Sequence, residues 1–257
     1  VKGVANVVKF TETVGRLASA TDIVGEQGAK QLARVLNILD EGIDTVDGLG
    51  DALVTLGNNF AASESEIVKM TLELSKGLGI FGSTSDEVTA LSAVLVSLGQ
   101  QPELASSAIG KTFRTISEIL IKGGEDAEDL GLLFGKSAED IKKAFDENSM
   151  STVVEFLSRV NQAGERGGLV LERFGLKGEE ISKSLPVLAA NLHLVANAQD
   201  LIANKDGALF AESEKSADSY ESELVLMMNA WAAIKRQVGE QILPFLETGF
   251  QSLARFM

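Results

Sequence analysis

Leu56-Gly57-Asn58-Asn59-Phe60-Ala61-Ala62-Ser63-Glu64-Ser65-Glu66-Ile67 reads as the end of one helix, a tight loop and the start of another. Gly57 and Asn58 tolerate the left-handed conformation that closes a helix. Ser63 followed three residues later by Glu66 is a capping box, in which each side chain satisfies a backbone N–H at the new helix start. The same grammar returns along the chain. Thr84 with Glu87 forms a second capping box, Pro102 suits the first turn of a helix, and Ser137 precedes Glu139 and Asp140 as a further start.

Working outward, Val4, Val7, Val8, Thr11, Val14 and Leu17 recur at helical spacing, as do Leu32, Val35, Leu36 and Leu39. These are two amphipathic helices separated around Asp22–Gly28. Gly42, Gly48 and Gly50 are expected to fragment the chain ahead of a short helix ending near Leu56. The helix from Ser63 is expected to stop at Gly77 and Gly79, and the next, carrying Val88, Leu91, Leu95 and Leu98, at Gly99. The helix from Pro102 presents Leu104, Ile109, Phe113, Ile116 and Leu120 and stops at Gly123-Gly124. Shorter helices reach Phe134, Phe145 and Val160, with Gly164, Gly167 and Gly168 read as breaks. Gly175 and Gly178 bracket a turn before the helix from Glu179, where Pro186 predicts a kink or a boundary.

Beyond Lys205 the pattern changes. Gly207 to Leu243 reads as one long helix of roughly 55 Å. Leu224, Met227, Trp231, Ile234, Val238 and Phe245 share a stripe on it, and four of them fall seven apart. The stripe suits a self-association seam of coiled-coil type, or equally a long helix lying on its own domain. The paired Met227/Met228 and Trp231 are core or seam residues, with a partner-binding groove as the minor option. The expected fold is therefore all-α: an irregular bundle of short, glycine-punctuated helices with a long C-terminal amphipathic helix. It divides into an N-terminal helical arm (1–40), a glycine-punctuated core (41–204) and the C-terminal helix and tail (205–257). No repeat of fixed period supports a solenoid.

Composition narrows the function. The 257 residues are 45% hydrophobic and 23% charged, enough for a large core, while aromatics at 5% and only three prolines favour helix. A net charge of −14 repels phosphate, so direct nucleic-acid binding and attachment to anionic membranes are not expected. With no cysteine, disulfides and thiolate metal sites are excluded. The longest apolar stretches, Val88–Leu98 and Leu185–Ala203, are respectively too short and too interrupted to span a bilayer. A start at Val1 suggests an excerpt of a longer polypeptide or a processed product.

Little here carries catalytic chemistry. His193 is the only histidine and is expected to be a partly buried structural residue. Glu125/Asp126, Glu128/Asp129 and Glu179/Glu180 sit near helix N-termini, where the macrodipole favours negative charge, so capping outweighs a glycosidase pair. Gly164-Glu165-Arg166-Gly167-Gly168 lacks phosphate-loop spacing, and no G-x-S-x-G is present. No enzyme activity, metal or cofactor is expected.

Several segments, in order, resemble the core region of the tail tape measure proteins of long-tailed bacteriophages. They are Leu56–Ile67; Gly82–Leu91 with Val94–Gly99; Ala105–Ile109 with Phe113 and Ile116; Phe134–Ile141 with Ala144-Phe145; Val154–Leu157; Gly175–Gly178; and Glu212–Ser222 with Trp231 and Val238–Pro244. The resemblance spans about residues 35–247. In the third segment the chain keeps Glu103 but has serines where the family carries paired glycines. The resemblance implies a structural protein that runs inside the tail tube during assembly, helps set tail length and is released during genome delivery. It further implies self-association in few copies, partnership with the tail tube protein and tail assembly chaperones, and host-envelope contact on release. The expected location is the tail tube lumen of the virion, preceded by the host cytoplasm during assembly. Three other classes stay open: a membrane-active helical protein suggested by apolar small-residue helices and a mean hydropathy of +0.13, a cell-wall hydrolase, and a generic helical oligomerisation scaffold.

Overall fold

The structure, a computed structural model, describes residues 2–23 and 25–216, with side chains from Asn6 onward. The described residues form thirteen α-helices and no strand. In chain order they are α1 (Lys2–Ala20), α2 (Gly25–Ile38), α3 (Val46–Asn59), α4 (Glu64–Leu78), α5 (Ser85–Ser97), α6 (Pro102–Lys122) and α7 (Glu125–Phe134). They continue with α8 (Ala138–Glu147), α9 (Ser149–Gln162), α10 (Gly167–Arg173), α11 (Glu179–Ala190), α12 (Leu192–Ile202) and α13 (Ala208–Ser216). The all-α expectation holds. Of the expected long C-terminal helix only Ala208–Ser216 is described, as α13; the rest, and with it the seam from Leu224 to Phe245, lies outside the described residues.

The predicted starts are where local chemistry puts them. Both reciprocal bonds of the capping box are present at Ser63/Glu66 and at Thr84/Glu87, and Pro102 opens α6. Glycine stops are real where the backbone turns left-handed: Gly82, Gly99, Gly123, Gly124 and Gly135 all have φ between 67° and 76°.

Elsewhere the glycine punctuation is corrected. Gly48, Gly50, Gly57 and Asn58 lie inside α3, which ends instead in an extended Phe60. Gly77 lies inside α4. These glycines serve close approach. A Cβ on Gly77 would stand 3.4 Å from the Cα of Gly110, so α4 and α6 cross backbone against backbone. A Cβ on Gly50 would reach 2.7 Å from Leu209. Gly167 and Gly168 begin α10, a helix in place of the expected break. Pro186 stays inside α11, and the chain breaks at Asn191.

At the centre, α4 lies between α5 and α6. Every residue of α5 from Val88 to Leu95 is buried, because α3, α4 and α12 all pack on it. A helix buried on every side needs its polar residues satisfied internally. Thr89 donates to the Ser85 carbonyl and Ser92 to that of Val88, both at 2.6 Å, and Thr71, Ser75 and Thr112 use the same i−4 device at 2.7–2.8 Å. Around this centre α2 lies on α4, α8 and α11 lie on α6 and α9, and α13 covers α1 and α3. Phe81, Phe113 and Phe145 meet with ring centroids 5.5–6.4 Å apart, tying the turn after α4 to α6 and α8.

Two substitutions test this centre by thermal melting. Phe113 is fully buried, so Phe113→Ala should cost about 3–5 kcal/mol. A Cβ at Gly79 would sit 2.5 Å from the backbone oxygen of Ile38. Gly79→Ala should therefore cost about 1–3 kcal/mol although its φ is an ordinary helical one. An unchanged melting temperature for either would contradict the arrangement of α2, α4 and α6.

Candidate functional site

The candidates for chemistry are dispersed. His193 is exposed in the first turn of α12, which corrects the expectation of a partly buried histidine: Val195 faces the interior instead. Glu125, Asp126 and Glu128 occupy the first turn of α7, and Glu179 and Glu180 that of α11. Arg173 of α10 gathers Glu125 and Asp126 of the former set, with Nη1 2.8 Å from Asp126 and Nη2 3.6 Å from Glu125, and makes a further ion pair to Asp129. The hydrogen bond to Asp126, reinforced by Asp129, pushes the guanidinium further toward its charged form. The backbone N–H of Glu180 and, after it, Lys111 at 3.3 Å hold the Glu180 carboxyl below its usual range. These contacts cap and join helices. Among the described residues no group of three or more His, Cys, Asp or Glu could hold a metal ion. No described helix is long and apolar enough to cross a membrane.

What the tertiary structure does build is a set of carboxylates that cap distant helices. Asp22 accepts from Ser65 N at 2.8 Å and Ser65 Oγ at 2.5 Å, at the start of α4. Glu41 accepts from Ser85 N at 2.6 Å and Ser85 Oγ at 2.7 Å, at the start of α5. Asp51 of α3 accepts from Gly207 N at 3.1 Å and Leu209 N at 2.8 Å, at the start of α13. Glu87 completes its own capping box with one oxygen and accepts from Asn148 at 2.7 Å with the other, while Asn148 caps α9. Apart from the Thr84/Glu87 box, none of these carboxylate contacts was read from the sequence. Their partners are 43 to 158 residues away, and no local spacing encodes them.

The most elaborated surface is the corner where α13 meets α1 and α3. Leu209 fills the space left by Gly50, beside Thr13 and Leu17. Arg16 lies 4.7 Å over the ring of Phe210 and donates to Ser213 Oγ at 3.4 Å. Lys205, only 8% exposed, forms an ion pair with Asp86 in the first turn of α5. A cleft lined by Glu12, Thr13, Arg16, Asp47, Asp51 and Phe210 opens here. The described residues end at this corner, with Ser216; the stripe of Leu224, Met227, Trp231, Ile234, Val238 and Phe245 lies outside them.

Residues 3–175, from α1 through α10, match the model of a family described as phage-related minor tail protein. The chain is also similar, at 24% identity over 247 residues, to a probable tape measure protein of Halomonas phage phiHAP-1. That similarity covers 94% of this chain and 28% of the relative, so the chain spans less than a third of that protein's length. No solved structure matches.

Two carboxylates in the cap network titrate in opposite senses. Burial would push the Asp22 carboxyl up, but hydrogen bonds from Ser65 and Ser63 outweigh it and hold it below its usual 3.8. Such a group stabilises the fold above its unfolded pKa, and the contribution is lost as pH falls through the lower folded value. Asp22→Ala should cost about 1 kcal/mol at neutral pH, the scale of a helix cap, and nothing once Asp22 is protonated. Burial, with Asp22 and Glu212 nearby, pushes Glu64 above its usual 4.5. Glu64→Gln should stabilise the protein at neutral pH, with the gain vanishing as pH drops through the folded pKa of Glu64. Urea denaturation across pH 2.5–7 reads both; the same pH trend in the two variants would contradict the assignment.

Proposed function

The chain belongs to the phage-related minor tail protein family, a phage tail structural protein of the virion, and we propose that its specific role is that of a tape measure. In this reading it occupies the tail tube during assembly, helps set tail length and leaves the tail during genome delivery. What supports it is similarity along nearly the whole chain to a probable tape measure protein. The role is structural rather than catalytic. Its partners are the tail tube protein, tail assembly chaperones and a few further copies of itself, joined through the stripe from Leu224 to Phe245, with host-envelope contact on release. The proposal keeps the three-part organisation, in which 1–40 and 205–257 are arms of the core 41–204 that meet at the α1–α13 corner.

A physical constraint sharpens the reading. A compact body of this size has a radius of gyration of roughly 17 Å, whereas the same residues in one continuous helix would reach roughly 320 Å. Thirteen helices that double back do not convert residue number into distance. Measurement therefore belongs to chain held as extended helix, and the compact body adds little length while it stays folded. That doubling back favours one second reading: a folded module of the tail that is carried rather than measured.

An in-frame deletion of residues 218–237 in the parent gene leaves the described body whole. If that segment is measured as helix, tails seen by electron microscopy should shorten by roughly 30 Å. Intact tails of unchanged length would favour the carried module, and tails that fail to form would place the segment in assembly without assigning it a length.

A further inference from the structure

We infer that α13 is a latch: a helix docked on the α1–α3 face chiefly by polar contacts, able to open as a unit while the α4–α5–α6 centre stays folded. Of its nine described residues only Leu209 and Ser213 are buried, against nine in α5 and nine in α6. The apolar hold thus comes down to one buried leucine in the notch at Gly50, with Ala208 half-buried beside it. The remaining contacts are polar or cation–π: Asp51 accepts the N–H groups of Gly207 and Leu209, and Arg16 bridges Phe210 and Ser213.

The hinge is equally defined. Gly207 has φ of 80°, a left-handed turn between α12 and α13 that glycine enters without strain. Opening at this point breaks no contact of α12 with α5. Like charge also faces like across the seam, since Glu212 of α13 adds to the effect of burial and Asp22 in disfavouring the ionised form of Glu64 on α4. A helix held by one leucine and a few polar contacts opposes local opening far less than one buried on every side. When the latch opens, the notch beside Gly50 and Leu17 is uncovered. The latch rests on the tape reading only for its use in the tail, where release of this helix would expose the α1–α3 face.

Hydrogen–deuterium exchange on the 257-residue chain tests the latch without any tail. Amides of 207–216 should be protected relative to unstructured peptide, yet exchange at least tenfold faster than those of α4, α5 and α6. Asp51→Ala and, independently, Arg16→Met should each accelerate exchange at 207–216 by about tenfold or more while leaving α4–α6 within twofold. Exchange of α13 in step with α5, or equal acceleration of both by the variants, would overturn the inference and make α13 an integral part of the core. Unchanged exchange at 207–216 in both variants would overturn it too, because the polar contacts would then not be what holds the helix. A failed tail-length experiment leaves this result standing, and a failed exchange experiment leaves the tape reading standing.

Discussion

Thirteen short helices create many helix ends, and each end leaves up to four N–H or C=O groups without an intrahelical partner. The capped starts lie at exposed or part-buried positions, where a side-chain cap contributes about 0.5–2 kcal/mol. Satisfying these end groups is the constraint on which the remaining structure depends. Short-range capping boxes at Ser63/Glu66 and Thr84/Glu87 meet part of it. Asp22, Glu41 and Asp51 meet another part from a distance, and in doing so they fix which helix start lies beside which loop. The caps are thus topological as well as energetic: Asp22 places the α1–α2 connection at the head of α4, and Glu41 places the end of α2 at the head of α5.

Within that frame the density of the centre comes from small residues. Gly77 against Gly110 lets α4 and α6 approach at backbone distance. The hydroxyls of α4, α5 and α6 turn back onto their own helices, so they impose no demand on the neighbours. Large side chains then fill what remains, with the Phe81–Phe113–Phe145 group between the α4 turn, α6 and α8. The periphery is held differently. Surface ion pairs such as Lys122–Glu118 and Lys183–Glu179 are solvent-screened and contribute little. A buried leucine contributes about 2 kcal/mol, so α13, with Leu209, and α10, with Leu171, are lightly held beside the centre.

This gradient from a polar-capped, densely packed centre to a lightly held α13 bears on the proposed function. A tail protein that measures distance needs chain in an extended state, whereas the described body is folded back on itself.

Much was legible in the sequence, where the deciding chemistry lies within a few residues. Helix starts at Ser63, Thr84, Pro102 and Ser137 are set by side chains that reach only their own first turn, and the positive-φ stops at Gly99, Gly123 and Gly124 by the missing Cβ of one residue. Glycine elsewhere is ambiguous by itself, because the same missing Cβ serves a turn or a close crossing. Only the arrival of Leu209 at Gly50, of Glu64 at Gly57 and of Gly110 at Gly77 makes those positions helical contacts rather than breaks. The outward turn of His193 and the retention of Pro186 within α11 were likewise decided by packing. The distant caps at Asp22, Glu41 and Asp51, and the ion pair of Lys205 with Asp86, belong wholly to tertiary structure, since a carboxylate carries no mark of which of many helix starts it will meet.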